Sequence, residues 1–413
     1  MPTRRAAVVA TCVALAGMLS GCVAAPAPPP VAGPPTIGVV ADQSSDGGAA
    51  VIRAATLAID LVNSRYPDVP LPLAGGTGLP GLSGARLALA VGDTTGAPGQ
   101  AEAALDRVLA QPGLAGVVAA GGSEVMATLG AYADRRQVPL VDAATSAGFL
   151  LEVGLDWYFR VTPSDRMLAG AVFALLAAEP AAGTTGRVTV LTTPDGGGAD
   201  VVASLPELSR GSGLEVTTTI AVAPDAPLRL AATAPDPVVA VAATAEQAQR
   251  LSQVLAESGP PRPVVGMGGG FGPDQPAGPL GAVYPAAWSA EFAQRHPVAR
   301  TVADLYRARY EAPLTGAAAA AFTATLTLAL AIDTARTADP AAVRAGLRQL
   351  SLPATQTIMP WNGVRFGPDG QNELAAAVVD QQTGEGPVLV YPRELAATDV
   401  SWPQPPATGP GVP

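Results

Sequence analysis

The chain has 413 residues, with 34 acidic against 24 basic side chains, one histidine and two cysteines. That length fits two domains or lobes, and the acidic balance argues against nucleic acid or an anionic membrane surface as partner. Every basic residue is arginine, so no lysine base or Schiff base is available; a single histidine leaves no multi-His metal site, and His296, before a proline in what reads as a solvated loop, argues against a Ser-His pair. No catalytic residue, metal or cofactor is called for.

The first segment is a leader. Arg4 and Arg5 precede the charge-free stretch Ala6 to Leu19, which is too short to cross a bilayer comfortably and has the form of a secretory signal. Leu19, Ser20, Gly21 and Cys22 then resemble the lipobox of bacterial lipoproteins. The resemblance implies that residues 1–21 are removed and that the Cys22 sulfur carries diacylglycerol. Cys12 leaves with the leader, so the mature chain has neither a free thiol nor an intrachain disulfide. Residues 22–35 are rich in Ala and Pro, bury too little apolar surface to order themselves, and read as an extended tether. At about 0.8 kcal/mol per buried methylene, two or three acyl chains make a durable lipid anchor.

Beyond the tether, short apolar runs alternate with helical patterns. "TIGVVA" (Thr36 to Ala41) reads as a buried strand, and Ala49 to Asn63 as a helix with Val51, Ala54 or Ala55, Ala58 and Leu61 or Val62 on one face. Strand "ARLALAVGD", helix "GQAEAALDRVLAQ", strand "LAGVVAAGG", helix "SEVMATLGAYADRR" and strand "VPLVDAAT" follow. This βαβαβαβ order predicts a parallel sheet with helices on both faces. After Asp156 to Asp165 the rhythm restarts with "RMLAGAVFALLAAE", "RVTVLTT", "ADVVASLPELSRG", "LEVTTTIAV", "PVVAVAA", "EQAQRLSQVLAESG" and "RPVVGMGG". Two doubly wound parallel-sheet lobes of α/β class are the simplest account. Gly316 to Ile332 carries no charge, but its threonines, its alanine-rich start and the following Asp333 mark a core helix rather than a membrane span. His296 precedes a proline and reads as a solvated loop residue.

Several of these pieces together resemble a family. "IGVV" with "AATLAIDLVN", Gly92-Asp93 after the second strand, "GVVAAGGSEVMATLGAYADRRQVPLVDAATS", "YFRVTPSDRMLAG", the pair within "VARTVADLYRARYEAPLTGAAAAAFTATLTLALAIDTA" and "MPWNGVRFGPDGQNELAAAVVDQQTGEGPVLVYP" are similar to type I periplasmic binding proteins. The resemblance is to the branched-chain amino-acid class of lipoproteins that serve ABC importers. It implies two lobes joined by three crossovers, with a small-molecule ligand captured between them. The first lobe would comprise 36–158 plus about 285–355, the second 163–283 plus about 358–400, followed by a Pro-rich tail at 401–413.

Ligands of open α/β sheets sit beyond the carboxyl ends of strands. Here Ser123 opens a helix after "VVAAGG" and reads as its N-cap; the free N–H groups and dipole of that turn favour a carboxylate. Ala143 offers a carbonyl, Thr145 a hydroxyl and an N–H, and Ser146 lies beside them. The resemblance implies that Ser123, Ala143 and Thr145 hold an amino acid's carboxylate and ammonium; plain capping and turn chemistry is the competing reading.

The second half departs from the family pattern. "PDGGGAD" puts glycine where a tyrosine is usual, and "GGGFGPD" has no acid where one commonly answers the ammonium. An uncompensated buried ammonium is costly, which argues against unmodified Leu, Ile or Val as ligand. Asp195, Phe271, Tyr284 and Trp288 are the candidates to fill the space, each set against a role in core or loop; Trp157 and Tyr158 border the first crossover as further stacking or core residues. The glycines of "GMGGGFG" follow a strand, yet Pro273 and Pro276 break the helix a dinucleotide site would need.

The resulting expectation is a monomeric, membrane-anchored extracytoplasmic protein that takes an amino acid or a related amide or carboxylate to an ABC permease. The alternative is an envelope lipoprotein of the same fold acting as a protein-interaction module, for example in cell-wall synthesis.

Overall fold

The computed structural model describes residues 33–179, 186–194, 199–223, 236–258, 262–272 and 281–402. Cys22, Asp195 and the Pro-rich tail after residue 402 lie outside the described residues.

The first sheet consists of β1 (Thr36–Ala41), β2 (Ala88–Asp93), β3 (Leu114–Ala119), β4 (Leu140–Asp142) and β5 (Tyr158–Arg160), in the order β2-β1-β3-β4-β5 with every pairing parallel. Helices α1 (Asp46–Asn63), α2 (Pro98–Leu109), α3 (Ser123–Arg136) and α4 (Phe149–Glu152) make the crossovers. All of β1 is buried because the sheet is covered on both sides. Ile37 and Val39 enter one hydrophobic cluster and Val40 the other, as the alternation of a strand requires.

The second sheet contains β6 (Arg187–Thr192), β7 (Glu215–Ala221), β8 (Val238–Val241), β9 (Val264–Met267) and β10 (Val283–Ala286). Helices α5 (Asp165–Ala178), α6 (Ala199–Gly211) and α7 (Ala245–Glu257) accompany it. Helix α7 opens with a reciprocal capping box between Thr244 and Gln247.

The chain then returns to the first lobe. Helices α8 (Ala290–Arg295), α9 (Pro297–Tyr310), α10 (Gly316–Ala335) and α11 (Pro340–Gln349) lead to a small hairpin of β11 (Leu352–Pro353) and β12 (Gly363–Val364). Strands β13 (Val378–Thr383) and β14 (Gly386–Tyr391) close the second sheet in the order β14-β13-β10-β9-β8-β6-β7. The pairings from β10 through β7 are parallel, whereas β13 and β14 are antiparallel additions at one edge. The second sheet is therefore mixed rather than purely parallel: a tight turn, with the Thr383 hydroxyl bonded to Gly386 O, can only return the chain antiparallel.

Helix α10 is long and apolar enough to cross a membrane, and in the fold it is a core helix, with Ala318 through Ala329 all buried against α1, α11 and β3. Its buried threonines are satisfied within the helix: Thr323, Thr325 and Thr327 donate to the carbonyls four residues back. Alanines on α1 and α10 let the two axes approach closely. His296 differs from the expected solvated residue. It is half-buried at the N-cap of α9 and stacks on Phe292 at 4.9 Å, and burial lowers its pKa.

Three segments cross between the lobes, at 161–164, 287–289 and 365–377. The first and third are laced together. Arg160 N donates to Gly370 O and Asn372 N to Arg160 O, each at 2.9 Å, while the Asn372 amide reaches Val161 O and the Gln371 amide Thr162 O.

Candidate functional site

The C-terminal ends of β3 and β4 lie side by side, since Ala119 pairs with Asp142 and Ala143 N donates to Ala119 O at 3.0 Å. Past β3 the chain runs through Gly121 and Gly122 into α3. Ser123 is the first helical residue rather than the N-cap; Gly122 takes the cap position in extended geometry, and no side chain caps the turn. That corrects the capping role expected for Ser123, and it leaves the first-turn N–H groups without a capping side chain. A Cβ built on Gly122 would meet nothing within 4 Å among the described residues, so these leave the approach to the turn open.

Past β4, the Asp142 carboxylate organises the loop. Its Oδ1 accepts from Ala144 N at 2.8 Å and Thr145 N at 3.1 Å; its Oδ2 accepts from the Tyr158 hydroxyl at 2.5 Å and from the Thr145 hydroxyl. Four donors explain how a carboxylate sits fully buried. Burial, then the Asp142 charge, holds the Tyr158 phenol well above its ordinary pKa. Both Thr145 donors thus point inward, and only the lone pairs of its hydroxyl oxygen remain for a guest.

The next three carbonyls are held by the first crossover. Thr145 O accepts from the Thr162 hydroxyl at 2.6 Å, Ser146 O from Asp165 N at 2.8 Å, and Ala147 O from Arg160 Nη1 at 2.6 Å. Arg160 is 0% exposed, and its Nε donates to Gln371 Oε1 on the third crossover at 2.9 Å. The strand-end loop and the hinge are therefore one hydrogen-bonded unit. Neither Arg160 nor Gln371 was singled out from the sequence; the available signal was one arginine inside the otherwise apolar run "WYFRV".

The other expected residues lie elsewhere. Tyr284 and Trp288 are each 4% exposed. Tyr284 packs in a second-lobe cluster with Leu191, Ala240 and Phe271, while Trp288 packs in the first-lobe core, edge-on to Phe292 at 5.9 Å. Neighbours cover nearly all of each ring, and Ala143 and Thr145 at the strand ends are covered to a similar degree, 1% and 5% exposed. Tyr158 is likewise core, and Trp157 sits under the Arg344 guanidinium at 5.0 Å. The glycines of "GMGGGFG" answer to backbone geometry. The Phe271 ring folds over Gly266, and Gly268 has φ +87° with no room for a Cβ beside Ala242 O. Asp195 lies outside the described residues.

Where β10 enters its crossover, Asp380 of β13 stands opposite Tyr284 and is 1% exposed. Ser289 hydrogen-bonds the carboxyl group, Oδ1 has no hydrogen-bond partner among the described residues, and burial, with Glu291 nearby, pushes the pKa up to about 7.

Comparison with known proteins agrees with this architecture. No curated protein sequence matches the chain. Among solved structures, an ABC transporter substrate-binding protein from Desulfitobacterium hafniense in complex with Leu superposes with a TM-score of 0.67 at 18% identity, covering 86% of this chain and 99% of that one. A putative branched-chain amino acid ABC transporter from Silicibacter pomeroyi gives 0.69 at 15% identity, over 90% and 99%. An ABC transporter solute-binding protein from R. palustris in complex with benzoate gives 0.61 at 16% identity, over 86% and 95%. These likenesses establish a shared fold, and the family model described as periplasmic binding protein matches residues 34–385. The chain belongs to the periplasmic binding protein family.

Proposed function

We propose that this chain is an extracytoplasmic solute-binding protein, tethered to the membrane through lipidated Cys22, that closes two lobes over a small polar ligand and presents it to an ABC permease. The ligand is an amino acid or a related amide or carboxylate. The observation that carries the reading is the pair of adjacent strand ends, one leading into an uncapped and accessible helix N-terminus, the other into a loop fastened to the hinge.

Each end has a distinct task. The first-turn N–H groups of α3 from Ser123 onward receive the ligand's negative end, aided by the helix dipole. Leu and benzoate, the ligands of two structural neighbours, share a carboxylate and little else. The Ala143 carbonyl and the Thr145 hydroxyl oxygen accept from the ligand's donor, and Ser146 borders the same loop. Because the crossover fixes the carbonyls of residues 145–147, rotation of the lobes and the shape of this loop are coupled, as a hinge-closing binding protein requires.

The test is thermal unfolding of the purified protein against amino acids, peptides, amides, nucleosides, sugars and aromatic acids. A ligand at 100 times its Kd adds about 2.7 kcal/mol of stability. A hit carrying a carboxylate or amide supports the proposal; a panel without any hit favours the protein-interaction alternative.

A further inference from the structure

Away from the strand ends, a cavity of about 600 Å³ opens beside the hinge. One wall is Ala171 of α5 and Tyr391, which pack on the second-lobe core, joined by Met167 of the same helix, which packs on the first-lobe core. The facing wall is Phe292, His296 and Trp361, where Phe292 and Trp361 belong to the first-lobe core. None of Ser123, Ala143, Thr145 or Ser146 lines it. Its volume falls in the range of small-molecule sites, and the lining is mostly apolar, with polar groups from His296, Thr355, Asn362, Tyr391 and Glu394.

The lining selects a chemical class. Half-buried Tyr391 and Met167, with the edges of Phe292 and Trp361, which are 5% and 3% exposed, suit a flat aromatic body. Trp361 is held in place by its Nε1–H bond to Ala287 O at 3.0 Å. Burial keeps His296 neutral near pH 7, so the imidazole exchanges one hydrogen bond with a guest without adding charge. Glu394, exposed at the rim, is the charged side chain among the described lining residues, and it lies close enough to Tyr391 to help raise the phenol's pKa after burial. A carboxylate beside rings disfavours an anion and favours a donor or a cation.

We propose that this hinge-side cavity is a second small-molecule site, separate from the inter-lobe site, for a small aromatic amine or aromatic alcohol. Since its walls come from both lobes, an occupant also fixes the spacing of α5 against α8.

Benzylamine, benzyl alcohol and benzoate test the class on one ring, by titration calorimetry of the purified protein and by crystal soaks. Benzylamine and benzyl alcohol are expected to bind with density between Phe292 and Ala171, and benzoate about tenfold more weakly or not at all. A171F and, as a second filling variant, A174L abolish binding in this cavity, and Glu394→Gln removes the advantage of the amine. Absence of density in this cavity for every probe at about 10 mM, density there that survives both filled variants, or benzoate density between Phe292 and Ala171 as strong as that of benzylamine would overturn the proposal.

Discussion

Replacing Asp380 by asparagine keeps the shape of a protonated carboxyl group and removes its ability to ionise. Asp380 is 1% exposed, is bonded by Ser289, faces Tyr284 across the β10–β13 pairing and has Glu291 nearby, and its pKa is pushed up to about 7. In the unfolded chain a carboxyl titrates near 4. Between about pH 4 and pH 7 the native state therefore binds more protons than the unfolded one, and this residue's contribution to stability falls as pH rises through that window, then stays level. A rise from about 4 to about 7 corresponds to about 4 kcal/mol of cost at pH 8. Asp380→Asn removes it: the variant is expected to match the parent near pH 4 and to exceed it at pH 8 by up to about 4 kcal/mol, or about 5 °C for a chain of this size. Scanning calorimetry of both proteins from pH 4.5 to 8 measures the difference directly. A variant less stable than the parent at pH 8, or a difference independent of pH, would show that the carboxylate is compensated in a way the geometry does not contain.

Thr145→Ala removes one donor from buried Asp142 and costs about 1–3 kcal/mol, and it lowers ligand affinity; Thr145→Ser restores both in titration calorimetry, whereas parent-like affinity in the alanine variant would contradict the strand-end assignment. Gln371→Ala strips buried Arg160 of its Nε acceptor and should lower the urea-unfolding free energy by about 1–3 kcal/mol, an unchanged midpoint being the contrary result. Cys22→Ser should move the protein from the membrane to the aqueous phase in a detergent-partition assay, and retention would refute the anchor.

The β/α alternation was legible because the central strands β1 and β3 are covered on both faces and read as unbroken apolar runs, "TIGVVA" and "LAGVVA". The alanine-rich helix α10 was placed in the core by its threonines, its alanine-rich start and the Asp333 that follows its charge-free stretch. What the sequence hid were interactions that depend on distant register. Arg160 and Gln371 are 211 residues apart and meet only because the first and third crossovers run together. Asp142 looked like part of an ordinary strand end, yet its four donors set the direction of the Thr145 hydroxyl. Tyr284 and Trp288 carry the composition of a binding surface, and only packing separates that role from a core one. Ser123 missed its cap by one residue, since Gly122 adopts the cap geometry without a side chain.

A crystal structure of the protein with the ligand found by thermal screening bears most directly on the binding mode. The expected density lies between the lobes, with an anionic or carbonyl oxygen within hydrogen-bond reach of the first-turn N–H groups of α3 and a donor facing Ala143 O and Thr145 Oγ1. A ligand seated elsewhere, or lobes whose side chains fill the gap at β3 and β4 completely, would contradict it.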